Sequence, residues 1–182
     1  MSMIVNFAAF QVGWFATVLG GANNLAWAGT TAALVIVGFH LYRIANPRKE
    51  LLLLALVGVL GAAWDSTLVA LGITSYPSGI FIDGIAPHWI IALWLLFATT
   101  LNISLRWLRG RLVLGFICGA IFGPLAFYGG HLLGGVNFAD LSFAMIVLSV
   151  GWAVMIPILL ILAEKLDGTS RKPMSINYKQ TA

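Results

Sequence analysis

Residues 106–133 read RWLRGRLVLGFICGAIFGPLAFYGGHLL: three arginines, Arg106, Arg109 and Arg111, and then 22 residues without Asp, Glu, Lys or Arg. An apolar run of that length covers the roughly 20 residues a helix needs to cross a hydrocarbon core. Every backbone polar group must be paired inside lipid, and the run does not alternate as barrel strands do, so it reads as a helix. The same unit recurs on either side. All ten Lys and Arg residues fall in three clusters: Arg43, Arg48 and Lys49; Arg106, Arg109 and Arg111; Lys165, Arg171, Lys172 and Lys179. Two long apolar stretches separate each cluster from the next. If each stretch crosses a bilayer, every basic residue lies on one side, and short cytoplasmic loops are the ones enriched in Lys and Arg.

The expectation is an all-α integral membrane bundle of six transmembrane helices, with the N-terminus and C-terminus cytoplasmic. The helices are expected at residues 3–19, 24–42, 50–71, 87–108, 112–133 and 139–166. Residues 1–166 then form one domain, and residues 167–182 a polar, mobile cytoplasmic tail. The opening MSMIVNFAAF lacks the basic region of a secretory signal and reads as the start of an uncleaved span. The tight outer turns Gly20–Asn23 and Gly134–Asn137 share the phrase Leu-Gly-Gly-(Ala or Val)-Asn and read as two similar turns. The longer outer segment, residues 72–86, is expected to form a small hairpin or an interfacial lid.

Composition agrees. The chain is 60% hydrophobic and 9% charged, against about 25% charged for a soluble domain. Its pI near 9.6 does not imply nucleic acid, because the bases sit only at the ends of apolar segments, where anionic lipid headgroups are the natural partners. The single cysteine, Cys118, excludes an internal disulfide.

Small residues mark faces where membrane helices pack closely. Gly58, Gly61, Ala62 and Asp65 share a face of the third helix, so Asp65 is expected to point into the bundle. Gly115, Gly119 and Gly123, followed by Pro124, form a packing seam on the fifth helix or a hinge. On the fourth helix His88, Asn102, Thr99 and Arg106 form a polar stripe, read as interhelical hydrogen bonding or a hydrated path. Trp27, Trp64, Trp89 and Trp107 suit an interfacial belt. Trp14, Trp94 and Trp152 read as packing.

The outer half holds Asp65, Asp83, Asp140, His88, His131, Tyr76 and Tyr128 without any Lys or Arg. Three functional readings stay open: polar residues at a water interface; a metal site of His88 and His131 with Asp65 or Asp83, its metal unknown; and a substrate or proton site centred on Asp65, since an intramembrane acid is costly and functional by default. Asp65, His88, Asn102, Tyr128 and His131 are the expected lining of an outward-facing cleft for a lipid or small solute. No cofactor is expected: there is no HExxH helix, Walker loop or GxSxG, and no lysine inside a span for a Schiff base.

Three strings resemble a family of small bacterial inner-membrane proteins known only by a domain-of-unknown-function label. They are Asn6-Phe7…Phe10-Gln11-Val12-Gly13-Trp14-Phe15, Pro87-His88-Trp89…Thr99-Thr100-Leu101-Asn102…Trp107-Leu108, and Gly123-Pro124-Leu125-Ala126-Phe127-Tyr128. The resemblance covers nearly the whole chain and implies a bacterial inner membrane. It also implies gene neighbours resembling cyclopropane-fatty-acid synthases, and hence a non-enzymatic accessory to membrane-lipid modification, with membrane lipids and a lipid-modifying enzyme as partners. It supplies no catalytic residues. An intramembrane His/Asp metalloenzyme and a proton-coupled transporter using Asp65 are the alternatives.

Overall fold

The computed structural model describes residues 2–169, and six helices carry the fold. They are α1 (Met3–Ala22), α2 (Ala26–Arg43), α3 (Pro47–Ala70), α4 (His88–Leu101), α5 (Leu112–Leu132) and α6 (Leu141–Lys165). The ends follow local chemistry. Ser2, Asn46 and Asp140 accept from the backbone N–H three residues on and cap α1, α3 and α6, satisfying donors that a helix start leaves free. Pro47 opens α3, where its missing N–H costs nothing. Helices α1, α3, α5 and α6 are long and apolar enough to cross a membrane. Exposed Leu34, Val35 and Phe39 on α2, like Val113 and Val150 on α5 and α6, form the kind of apolar surface that soluble proteins avoid.

The fourth helix departs most from expectation. It ends at Leu101 rather than Leu108, and at 14 residues it reaches only about 21 Å. The chain then turns irregularly through Asn102–Leu105 into a 3₁₀ helix, Arg106–Leu108. Backbone groups freed by the unwinding still need partners. Asn6 of α1 supplies them: its Nδ2 donates to the Thr99 carbonyl at 3.2 Å, and its Oδ1 accepts from the Ser104 N–H at 3.3 Å and from the Ser104 hydroxyl. The hydroxyls of Thr99 and Thr100 turn back onto the carbonyls of Leu96 and Phe97. The stripe read along one long helix is therefore divided between two ends of the bundle.

Helix α4 is the hub, packed against α1, α2 and α3 and touching α6. Glycines set the close approaches: a Cβ on Gly61 would lie 2.0 Å from the Trp94 ring. One on Gly119 would lie 2.2 Å from the Trp152 carbonyl oxygen, and one on Gly123 2.2 Å from the Trp152 ring. The seam on α5 thus faces α6.

Loop geometry differs from the sequence reading in two places. Residues 72–86 form no hairpin of their own. Instead β1 (Thr74–Ser75) pairs antiparallel with β2 (Asn137–Phe138) from the α5–α6 loop. The two Leu-Gly-Gly phrases are not similar turns either. The first is the last turn of α1, with Asn24 at φ 61°, whereas the second follows α5, with Gly134 at φ 81°.

All described Lys and Arg residues lie at one end of the bundle, called the basic end below; β1 and β2 mark the other. A buried polar network ties the basic end together. Glu50, fully buried, accepts from His40 Nε2 at 2.8 Å, Asn102 Nδ2 at 2.9 Å and the Gly168 N–H at 3.2 Å. Arg109 donates to Asn102 Oδ1, to the Ala163 carbonyl and, at 2.9 Å, to Asp167. Partial burial pushes the Asp167 carboxyl up, but hydrogen bonds from Thr169 and Arg109 outweigh it and hold the pKa at about 2. Residues 167–169, expected to start a free tail, are thus bonded to the bundle. The remainder of that expected tail, 170–182, lies outside the described residues.

Candidate functional site

Helix α5 lies along α6 and leaves a cleft of about 620 Å³ between itself, α1 and α4. That volume suits a drug-sized molecule. The helices α1 and α5 converge at the β2 end, where Gly135 abuts Val18 and Gly129 faces Trp14. From there both line the cleft along its length, α1 from Val18 to Phe7 and α5 from Gly130 to Cys118. The eleven rises of 1.5 Å between Val18 and Phe7 give about 16 Å along α1. Phe7 and Phe122 line the cleft and are themselves 55% and 64% exposed. The rim is therefore lateral, on the apolar flank of the bundle.

The walls are aromatic. Phe10 and Trp14 of α1 face Phe122 and Phe127 of α5, while Trp94 and Trp152 form the back. Trp94 and Trp152 stack at 4.9 Å with 10° between planes, and the Phe97 ring meets Trp152 edge-on. Such pairs add to what burial alone contributes. The glycines opposite explain the placement: Gly61 makes room for Trp94, and Gly119 and Gly123 for Trp152.

Asp65 is the one charged residue of the lining. It sits fully buried on α3, behind Tyr76 and Trp94. The Tyr76 hydroxyl donates to Oδ1 at 3.2 Å and the Trp94 indole N–H to Oδ2 at 2.5 Å. The indole N–H only donates, which fixes Oδ2 as an acceptor. Burying a carboxyl is costly unless it is hydrogen-bonded, and these two donors make the position tenable. The Trp152 indole N–H is also buried and has no acceptor among the described residues.

Of the five residues expected to line an outward-facing cleft, Asp65 alone lines this one. His88 lies at the strand end, its Nδ1 2.8 Å from the Thr30 hydroxyl and its ring sandwiched between Trp27 and Phe81 at 4.3 and 4.9 Å. His131 lies 3.0 Å through Nδ1 from the Val136 carbonyl oxygen, with Tyr128 beside it on the same helix. Asn102 belongs to the Glu50 network at the opposite end. Among the described residues no three His, Cys, Asp or Glu side chains come together as a metal site. His88, His131, Asp65 and Asp83 therefore do not converge as the metal reading requires.

Tyr76, Trp94 and Trp152 line the cleft without having stood out in the sequence. Tyr76 is separated from Asp65 by an irregular loop, and both tryptophans resemble ordinary packing in sequence. The one available signal was Gly61 four residues before Asp65, a gap on the acid's own face that a large ring had to fill. Trp89, expected in an interfacial belt, is buried and donates to the Ser78 carbonyl.

No curated protein and no solved structure matches the chain. The family described as "Protein of unknown function (DUF2878)" matches residues 3–158. That span takes in α1 through most of α6, and with it every residue that lines the cleft, so the chain belongs to this family.

Proposed function

We propose that the protein is a membrane-embedded binding protein whose cleft between α1 and α5 takes an apolar, lipid-like molecule laterally from the bilayer. The single observation that carries this reading is the cleft's aromatic lining together with its rim on the apolar flank. A water-soluble ligand would enter from a bundle end, through polar residues. An acyl chain or fused-ring molecule is already dissolved in the medium that faces this rim. The orientation we infer puts the basic end, with both termini, on the cytoplasmic side of a bacterial inner membrane, as the enrichment of cytoplasmic loops in Lys and Arg requires. All six helices then count as spans, the short α4 being screened from lipid by its neighbours. An accessory role beside a lipid-modifying enzyme fits such a cleft, which would hold a lipid without transforming it.

The test is photolabelling in nanodiscs with a fatty acid carrying a diazirine on its chain. Labels are expected on Phe10, Trp14, Phe122 and Phe127. Labels confined to outward residues such as Val113, Ile146 and Val150 would rule out the cleft as a binding site.

A further inference from the structure

We infer that the occupant of this cleft is a lipid with a neutral oxygen function, carbonyl or hydroxyl, set midway along its apolar body and hydrogen-bonded by the amide of Gln11. The inference rests on the cleft reading above and adds the chemistry of the ligand.

Phe7, Gln11, Trp14 and Val18 follow one another at spacings of four, three and four residues, and all line the cleft, as one helical face does. Gln11 is the amide of that wall. It makes no hydrogen bond with any described residue. The side chain is half-buried, and its polar atoms are not enclosed by protein. The other amide and hydroxyl side chains of α1 are bonded: Asn6 to Thr99 and Ser104, and Thr17 to the carbonyls of Gly13 and Trp14.

Depth gives this contrast its meaning. Gln11 lies eight residues from Met3 and eleven from Ala22, about 12 Å and 16 Å from the two ends of α1. In the orientation proposed above it is near the middle of the bilayer, where its amide reaches neither headgroup layer. A polar group that gives up water without gaining a partner is costly, and polar side chains inside a membrane mark ligand pathways. An amide offers donors and an acceptor. Its NH2 would donate to a carbonyl, and its oxygen would accept from a hydroxyl. A simple acyl chain presents neither at this depth, and the ester groups of glycerolipids stay at the interface. The oxygen function is neutral because nothing beside it would balance a charge. The lining has no Lys, Arg or His, and its one acid, Asp65, is fully buried and bonded to Tyr76 and Trp94.

The experiment photolabels the protein in nanodiscs with two diazirine fatty acids, alike except that one carries a hydroxyl at mid-chain. The readout is the ratio of labels on Phe10 and Trp14 to labels on the outward residues Val113 and Val150, which cancels any difference in partitioning. In the wild type the hydroxylated probe is expected to give a ratio about fivefold higher, what one net hydrogen bond is worth. Gln11→Leu, which swaps the amide for an apolar side chain of similar size, should bring both probes to the ratio of the plain acid. Equal ratios in the wild type, with the cleft labelled, overturn this inference and leave the cleft reading standing. A preference that survives in Gln11→Leu overturns it too. Labels from both probes confined to the outward residues overturn the cleft reading itself. The wild-type comparison needs no variant, so poor folding of Gln11→Leu does not shield the proposal.

Discussion

Replacing Glu50 by alanine tests whether the basic end is held by one buried carboxylate. The side chain accepts three hydrogen bonds, from His40, Asn102 and Gly168, so Glu50→Ala strips acceptors from three donors drawn from α2, the α4 terminus and the α6 terminus. Interhelical hydrogen bonds in membrane proteins average about 0.6 kcal/mol by double-mutant cycles. Three of them set a floor near 2 kcal/mol. Leaving a buried donor without its acceptor costs about 1–3 kcal/mol, and the His40–Glu50 contact, with side chains 1% and 0% exposed, is buried in this way. The expected loss is therefore about 2–5 kcal/mol. At about 2–4 °C per kcal/mol for a chain of this size, the melting temperature in detergent should fall by about 4–20 °C. Glu50→Gln retains one of the two acceptor oxygens, so it should lose roughly half as much. Asp83→Asn, on the exposed loop, is the matched control and should lie within about 0.5 kcal/mol of wild type. A melting temperature for Glu50→Ala within 2–3 °C of that control would refute the reasoning. It would mean that the unpaired donors find water at the end of the bundle.

Four further outcomes are expected. Gly61→Ala puts a methyl group where the Trp94 ring now lies, 2.0 Å from Cδ2; overpacking should cost about 1–3 kcal/mol and push the indole off Asp65, read as lower thermal stability with shifted tryptophan emission. Ala126→Trp, on the exposed cleft wall, should abolish fatty-acid labelling of Phe10 and Trp14 while changing stability by less than about 1 kcal/mol. Asp167, whose carboxyl is held at about 2, has a folded pKa below its unfolded one. Its stabilising contribution is complete above pH about 4 and disappears as the pH falls through about 2; Asp167→Asn should flatten that part of the melting-temperature profile. Asn6→Ala leaves the Ser104 N–H without the Asn6 acceptor and should destabilise by about 1–3 kcal/mol, measured by thermal unfolding.

The helices were legible in the sequence because their signal is one of composition: long uncharged runs between Arg and Lys clusters admit few other structures. Eleven of the twelve helix ends lie within three residues of expectation. The end of α4 does not, because Thr99-Thr100-Leu101-Asn102 looks apolar enough to continue. What stops the helix is Asn6, 93 positions away from Thr99. Of the cleft's lining, the sequence singled out one residue. Asp65 stood out because an acid in an apolar span is conspicuous and its glycine-rich face points inward. His88, His131, Tyr128 and Asn102 were grouped with it on the assumption that polar residues of the bundle converge. In the fold each finds a nearer partner, in Thr30, the Val136 carbonyl, the His131 ring and Glu50. Glu50, where the third helix was expected to begin, is fully buried.

The brevity of α4 bears on how the chain is made. In the membrane orientation proposed above, a 14-residue helix is a poor candidate to enter a bilayer alone, since its unwound end would carry bare amides into lipid. Its partners are Asn6 on α1, Thr30 on α2, and Glu50 and Asp65 on α3, all of which leave the ribosome before it does. The receiving surface is thus synthesised first, and the fourth helix can be handed from the insertion machinery to protein without a period of exposure. The α5–α6 pair, joined by its own glycine seam, arrives last. The cleft lies between that later-made pair and the helices synthesised before it.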